Sequence, residues 1–168
     1  MTSDIRLHEK LCPVYGKIRD VMNERVARVA ENSTMVEVAQ LLVLTQASDI
    51  AVVDSAGRLV GVVSEGDLIR AAMPDFAEVL KARGSLADAF RFFLDCGRGL
   101  ARQSIARSII PTPITVGPDD EILKAATVMI EKNIRRLPVV DGDLFVGTVS
   151  RADVCWGLMS KGSEWVQA

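Results

Sequence analysis

The sequence predicts an α/β fold made of two copies of one half domain. Residues 61–68 read GVVSEGDL and residues 147–154 read GTVSRADV, so a Gly, a Ser and an Asp recur at the same spacing. The copies align at an offset of 87 residues, which pairs Val52 with Val139, and at an offset of 86 from Gly61 onward. A shared fold tolerates the loss of one residue from a turn. Two copies are too few for a solenoid, which favours a closed pair of half domains.

Each copy predicts the element order β, α, β, β, α. In the first copy, Thr34 and Glu37 form a capping box that opens the first helix. Continuous apolar runs then predict two strands covered on both faces, and Ser64 leads into the last helix. The first copy is predicted to contain a strand at 26–30, a helix from Met35, strands at 50–53 and 59–63, and a helix that ends near Ala72.

The second copy repeats this order. Its turn contains Asp141 and Gly142, a dipeptide that favours a tight hairpin. The predicted elements are a strand at 114–116, a helix at 121–132, strands at 137–140 and 144–149, and a helix from Arg151.

An insertion at 73–104 separates the copies. Pro74 can open a short helix and Gly84 can end it. Ser85 and Asp88 predict a second helix start, followed by apolar residues at helical spacing. We therefore expect a helical hairpin, which either covers one end of the two copies or forms a surface for a dimer, a partner or a lid.

The composition is that of one compact domain. A chain of 168 residues can bury roughly 70% of the surface of its unfolded form. The net charge of −2 offers no general attraction for nucleic acid or an anionic membrane. Apolar runs are short, and residues 1–10 lack the apolar stretch of a signal peptide, so we expect a cytoplasmic protein. Three cysteines without a CxxC spacing predict neither a disulfide framework nor a zinc site.

The repeated Gly and Ser-x-x-Asp residues, together with RRLPVVD at 135–141, resemble the CBS domain family, whose members occur as tandem pairs called Bateman modules. The resemblance covers about 18–72 and 105–159. It implies two CBS half domains packed with pseudo-twofold symmetry, two clefts between their sheets, and here an inserted helical hairpin. The expected organisation is an N-terminal segment at 1–17, CBS repeat 1 at 18–72, a helical insertion at 73–104, CBS repeat 2 at 105–160 and a tail at 161–168.

The resemblance also implies a ligand-binding site for AMP, ADP, ATP or S-adenosylmethionine in those clefts. Asp67 and Asp153 would accept hydrogen bonds from ribose hydroxyls, and Ser64 and Ser150 would lie beside the ribose or the phosphate. A carboxylate suits this role because it accepts two donors at once. The remaining residues that the resemblance places at the ligand are Arg135 and Arg136 at the phosphates, Thr112, Pro113 and Ile114 at the adenine, and Pro138 after the arginines.

Two features of the residues themselves qualify this prediction. A Ser followed three residues later by Asp before a helix is also a capping box, and capping is compatible with ligand binding. The copies also differ: the first has Ser48 and Asp49 where the second has Arg135 and Arg136. An acid at that position repels phosphate, so we expect two sites that are not equivalent.

A catalytic constellation is missing from the sequence. The only histidine is His8, near the N terminus, so a His triad or a His-based metal site is hard to build. Residues 61–67 have the spacing of a phosphate loop but carry Asp67 where that loop requires Lys. We therefore expect a protein that is not an enzyme and requires no cofactor.

The predicted function is that of a regulatory module that senses an adenosine compound. The expected partners are that small molecule, a second copy in a homodimer, and an unidentified enzyme or transporter, without nucleic acid or membrane. Trp156 and Trp165 are candidates for the dimer contact, with core burial as the alternative for Trp156. The competing hypothesis is a structural dimerisation or docking module whose clefts are empty or vestigial.

Overall fold

The computed structural model describes residues 16–73 and 85–160, together with residues 77, 79 and 81 of the insertion. Two short 3-10 turns, Ile18–Asp20 and Ile105–Arg107, begin the two copies. The longer elements of the described residues are β1 (Arg28–Ala30), α1 (Met35–Thr45), β2 (Asp49–Val53), β3 (Leu59–Ser64), α2 (Glu65–Ala72), α3 (Leu86–Leu100), α4 (Ile122–Glu131), β4 (Arg136–Asp141), β5 (Leu144–Ser150) and α5 (Arg151–Ser160).

The same sheet geometry occurs in both copies. In the first, β1 pairs with β2 in parallel and β2 pairs with β3 antiparallel; in the second, β4 pairs with β5 antiparallel. Each hairpin turns at a glycine with positive φ, +78° at Gly57 and +59° at Gly142, a conformation that favours glycine. The order β, α, β, β, α is confirmed in the first copy, and the order α, β, β, α that follows the first predicted strand is confirmed in the second.

One predicted strand is wrong. Residues 114–116 do not form a strand, and only Val116 pairs with Val139, in a single parallel bridge. The amide of Val116 donates to the carbonyl of Pro138 over 3.1 Å, and the amide of Val140 donates to the carbonyl of Val116 over 2.9 Å. Extending this parallel pairing back by two residues would require an amide hydrogen at Pro138 to donate to the carbonyl of Ile114, and proline has none.

The hydrophobic core is exchanged between the copies. Ile105 opens the second copy in sequence but packs in the core of the first, around Val38 and Val52. Ile18 opens the first copy and packs in the core of the second, around Met129 and Val139. Ile18 and Ile105 are both fully buried. Neither core is complete without a residue from the other copy, so the two copies form one folding unit.

Backbone pairing repeats this exchange around a pseudo-twofold axis. Asn23 pairs with Thr148 through hydrogen bonds of 2.8 and 3.0 Å, and Ile110 pairs with Val62 through bonds of 2.8 and 3.1 Å. These two pairs are related by the repeat offsets of 87 and 86 residues. Near the axis, Arg58 bridges Leu144. The closed pair of half domains with pseudo-twofold symmetry is therefore confirmed.

The described part of the insertion is α3. Ser85 caps it, accepting a hydrogen bond from the amide of Asp88 over 3.2 Å, as the sequence predicts. Ala89 is fully buried, whereas Leu86 and Phe90 are 67% and 62% exposed. Helix α3 packs against α2. The first helix predicted for the hairpin, at 74–84, lies mostly outside the described residues.

No helix in the described ranges is both long enough and apolar enough to cross a membrane.

Candidate functional site

Ser64 and Asp67 form a rigid corner where β3 runs into α2, which we call the first corner. The Oδ2 atom of Asp67 accepts hydrogen bonds from the Ser64 amide over 2.9 Å and from the Ser64 hydroxyl over 2.5 Å. The Ser64 hydroxyl in turn accepts from the Asp67 amide over 3.2 Å. This is the capping box that the sequence predicts, and it fixes the orientation of the carboxylate.

Ser150 and Asp153 form the second corner, where β5 runs into α5. The Oδ2 atom of Asp153 accepts from the Ser150 amide over 2.8 Å and from the Ser150 hydroxyl over 2.6 Å. Within the described part of the chain, every hydrogen bond to the Asp153 carboxylate goes to Oδ2. Its other oxygen, Oδ1, is therefore available to accept from a ligand.

The first corner differs because Arg70 occupies its second oxygen. The Nη2 atom of Arg70 lies 2.5 Å from Oδ1 of Asp67, and the Asp67 side chain is only 12% exposed. Burial acts to raise the pKa of Asp67, but the hydrogen bonds from Ser64 and Arg70 outweigh it and hold the pKa below its usual value. Asp67 is therefore an ionised carboxylate with both oxygens engaged.

Trp156 takes the place of Arg70 in the second copy, at the repeat offset of 86 residues. The Trp156 side chain is 67% exposed. The alternative that Trp156 belongs to the core is therefore wrong. The second corner therefore lacks an arginine at the position from which Arg70 reaches Asp67, and Arg151, the first residue of α5, donates to the carbonyls of Ile134 and Met129 instead.

A cleft of about 310 Å³, which we call the first cleft, lies between the two copies. One wall is the segment before β1 together with the end of α1 and the start of β2, and the other wall belongs to the second copy. Its lining residues are Asn23, Arg25, Val26, Ala27, Thr45, Ala47, Asp49, Ile50, Ala51, Arg136 and Thr148.

Asp49 and Arg136 bring opposite charges into the first cleft. Burial raises the pKa of Asp49, and the repulsion of Glu65 adds to this, whereas attraction by Arg136 and a hydrogen bond from Ser48 act against it. The Ser48 hydroxyl lies 3.2 Å from Oδ2 of Asp49. Among the described residues, no cation lies within 4.0 Å of this carboxylate. The cleft therefore holds a partly desolvated acid without a direct ion pair.

Arg136 also stands next to the second corner. It lies directly opposite Ser150 in the β4–β5 ladder, as Asp49 lies directly opposite Ser64 in the β2–β3 ladder. Directly opposed residues share one face of a sheet, with Cβ atoms about 4.5–5.5 Å apart. One corner therefore has an arginine beside its serine and the other has an aspartate, which supports the expectation of two unequal sites.

Arg135 lies elsewhere. It lines a separate opening of about 350 Å³ with Gln46, Ser48 and Glu65. Its carbonyl accepts a hydrogen bond from the Arg151 amide over 3.0 Å. The two neighbouring arginines are thus placed in different openings.

The remaining predicted residues are the second-copy equivalents of residues that line the first cleft. Thr112, Pro113, Ile114 and Pro138 correspond to Arg25, Val26, Ala27 and Ala51, all of which line the first cleft. We call the corresponding position the second cleft. Thr112 and Pro113 also line an opening of about 550 Å³ beside Arg58 and Asp143, near the hairpin turns.

Sequence reasoning missed three residues of this region. Asn23 and Thr148 line the first cleft because their backbones pair across the two copies, a contact that leaves no local signal in the sequence. Arg70 was readable, since an acid and a base three residues apart on a helix are neighbours. Groups of three or more metal-ligating side chains do not occur in the part of the chain that the structure describes.

The model of the CBS domain matches the chain over residues 18–74 and 106–159. The chain belongs to the CBS domain family. The family resemblance read from the repeated corners and from 135–141 is thereby confirmed. The matched ranges agree with the two copies that the fold shows.

Relatives include proteins of similar length. An uncharacterized protein of Methanocaldococcus jannaschii is 27% identical over 154 residues, which cover 84% of this chain and 90% of that protein. This CBS protein also matches a homoserine O-acetyltransferase of Methanohalophilus mahii with 28% identity over 148 residues, but spans only 25% of that enzyme's length.

Solved structures with the same fold include two with bound adenosine compounds. CBSX2 from Arabidopsis thaliana in complex with AMP has 23% identity and a TM-score of 0.65, covering 87% of this chain and 98% of that chain. The CBS domain pair of protein MJ0100, in complex with 5′-methylthioadenosine and S-adenosyl-L-methionine, has 21% identity and a TM-score of 0.62, covering 88% and 98%. At these identities the comparison establishes the fold.

Proposed function

We propose that this CBS pair is a regulatory module that binds an adenosine compound, with the second cleft as its principal site. One observation carries the proposal: Asp153 is oriented by Ser150 through Oδ2 and keeps Oδ1 available. The presence of AMP, 5′-methylthioadenosine and S-adenosyl-L-methionine in structures of the same fold supports this class of ligand.

Asp153 would recognise the ribose. An ionised carboxylate is acceptor-only and can take the two hydroxyl donors of a ribose. Hydrogen bonds to a charged group contribute about 1.5–3 kcal/mol each. Because Ser150 already fixes the carboxylate, little conformational freedom is lost when the ligand binds.

Arg136 would favour a ligand with a phosphate. Its guanidinium presents a planar fork of donors that matches phosphate oxygens, and its strand position places it beside Ser150. Thr112, Pro113 and Ile114, with Pro138, would form the wall against which the adenine lies. AMP, ADP or ATP are therefore the expected ligands, and S-adenosylmethionine is the alternative that uses the ribose contact without the phosphate.

Binding becomes regulation only if the ligand has different affinities for two states of the protein. The surface that can report such a change is a set of exposed apolar side chains repeated in both copies. Val43 on α1 and Ile130 on α4 are equivalent positions, 70% and 76% exposed. A homodimer that buries both faces would couple the clefts to a cytoplasmic partner such as an enzyme or transporter.

The same surface favours a second candidate function. A module that only dimerises or docks would use the repeated apolar positions and leave its clefts empty. Val36 and Leu123 are a further equivalent pair, 40% and 58% exposed. This function requires no response to any adenosine compound.

Calorimetric titration separates the two functions. Wild-type protein is titrated with AMP, ADP, ATP and S-adenosylmethionine, and the titrations are repeated with Asp153→Asn. Loss of the ribose contact should weaken binding at least about tenfold. Asp95→Asn is the matched control, since Asp95 is an exposed acid on α3 and should bind like the wild type. Absence of heat from all four compounds in a folded sample would leave the structural function as the better account.

A further inference from the structure

In the first corner, Arg70 already donates a hydrogen bond to the Asp67 carboxylate. Oδ2 of Asp67 accepts from Ser64, and Oδ1 accepts from Nη2 of Arg70 over 2.5 Å. The Arg70 side chain is 73% exposed and the Asp67 side chain 12% exposed, so the guanidinium lies on the solvent side of the carboxylate. The oxygen that a ribose hydroxyl needs is the one that Arg70 occupies.

Gly66 makes room for this arrangement. A Cβ atom built on Gly66 would lie 3.3 Å from Nη1 and 3.7 Å from Nη2 of Arg70. The Arg70 guanidinium therefore folds back over the first turn of α2, where the absence of a side chain lets it approach. At the equivalent position the second copy has Ala152, whose methyl group would require a guanidinium held in the same way to shift by a few tenths of an ångström.

The second copy has neither the glycine nor the arginine of this arrangement. Ala152 replaces Gly66 and Trp156 replaces Arg70, while the cap between Ser150 and Asp153 keeps the same geometry, with bonds of 2.8 and 2.6 Å. The two corners thus have the same scaffold and differ in whether a cation from the same helix covers the carboxylate.

We propose that Arg70 is an internal competitor for the ribose-binding carboxylate of the first corner, which Gly66 allows to close over Asp67. The inference rests on the proposed function and deepens it. The chain then binds adenosine compounds at two unequal sites, tightly at the second corner and weakly at the first. Exposed ion pairs contribute up to about 1 kcal/mol, so the competition is worth about fivefold in affinity.

The test uses calorimetric titration with 5′-methylthioadenosine, which carries the ribose hydroxyls but no phosphate, so that Asp49 does not repel it. Wild-type protein should bind one equivalent tightly and a second more weakly. Arg70→Ala should strengthen the weak site about fivefold and leave the tight site unchanged. Arg98→Ala is the matched control, because Arg98 lies three residues after Asp95 on α3, with an N···O distance of 3.6 Å. It should leave both sites unchanged.

The reciprocal variant introduces the glycine and the arginine of the first corner into the second corner. Ala152→Gly combined with Trp156→Arg should weaken the tight site about fivefold and leave the weak site unchanged. Unchanged affinities in both sets of variants would overturn the role of Arg70, as would two equal sites in the wild type. If the wild type binds no adenosine compound at all, the proposed function fails and this inference fails with it. A single weakened site in the reciprocal variant would support both.

Discussion

Asp49 and Arg136 occupy equivalent positions in the two copies, carry opposite charges and line the same cleft. Each is the first residue of its strand and lies opposite the serine of its own corner. The arginine of one copy thus lines the cleft in which the other copy presents its acid. The two copies share one fold, but Asp49 in the first and Arg136 in the second give them different local charges.

Asp49→Asn should stabilise the protein at neutral pH. Burial raises the pKa of Asp49 above its usual 3.8. The carboxyl group therefore contributes most to stability below that pH, and this contribution is lost as the pH rises through the raised pKa. Removing the charge should increase Tm at pH 7, where a gain of about 1 kcal/mol corresponds to roughly 2–4 °C.

The check is a thermal melt series across the acidic range. The advantage of Asp49→Asn over the wild type should shrink steadily as the pH falls toward the usual pKa of an aspartate. Asp95→Asn, an exposed change on α3, serves as the control. A stabilisation that is the same at every pH would show that packing, and not the charge, is responsible.

Arg136→Gln should separate phosphate recognition from adenosine recognition. If the guanidinium contacts the ligand phosphate, its loss should weaken AMP binding about tenfold, as expected for a charge-assisted hydrogen bond. Binding of 5′-methylthioadenosine should change less than about twofold. Titration of both compounds into one preparation measures the ratio directly, and an equal loss for both would assign Arg136 to the fold instead.

Local sequence chemistry was sufficient to predict most of the helices and strands of each copy. Thr34 accepts from the amide of Glu37 over 3.4 Å, and Glu37 accepts from the amide of Thr34 over 2.7 Å, as the capping box requires. Such contacts join residues three positions apart, so a short sequence motif is enough to predict them. The apolar runs that predict β2 and β3 are equally local, because the two strands are neighbours in sequence and pair with each other.

Contacts between the copies were not predictable in the same way. Ile18 completes the core of the second copy, more than a hundred residues from its partner Met129. No local pattern marks which copy will bury such a residue. Competition between side chains is also hidden: the Ser-x-x-Asp pattern is the same in both corners, and the proposed covering of the acid depends on Gly66 and Arg70, where the second copy has Ala152 and Trp156.

Val43→Lys and Ile130→Lys should each weaken a homodimer. These equivalent side chains are 70% and 76% exposed, and a charge buried in an apolar interface is costly. Light scattering after size exclusion should give the wild type a mass of twice 18.2 kDa and the variants a lower average mass. Leu86→Lys on α3, at 67% exposure, is the control. A monomeric wild type would contradict the dimer.

Gly147→Ala should destabilise the fold more than a substitution at an exposed residue, because the added methyl group pushes apart two backbone segments that belong to different copies. A Cβ atom there would lie 2.5 Å from the carbonyl oxygen of Asn23, and that oxygen accepts the Thr148 amide over 3.0 Å. The backbone of Asn23 must move and break the pair, at a cost of about 1–3 kcal/mol. At the equivalent Gly61, a Cβ would overlap the Ile110 carbonyl, so Gly61→Ala should cost a similar amount.

Gly99→Ala provides the contrast in the same experiment. Among the described residues, nothing lies within 4 Å of a Cβ at Gly99, which belongs to α3. Replacing glycine by alanine inside a helix typically adds up to about 1 kcal/mol of stability. Urea denaturation of the three variants should therefore move the midpoints of Gly61→Ala and Gly147→Ala down and that of Gly99→Ala up. If Gly147→Ala instead matched the wild type, the close approach of the segment before β1 to β5 would be wrong, and with it the exchange that builds both clefts.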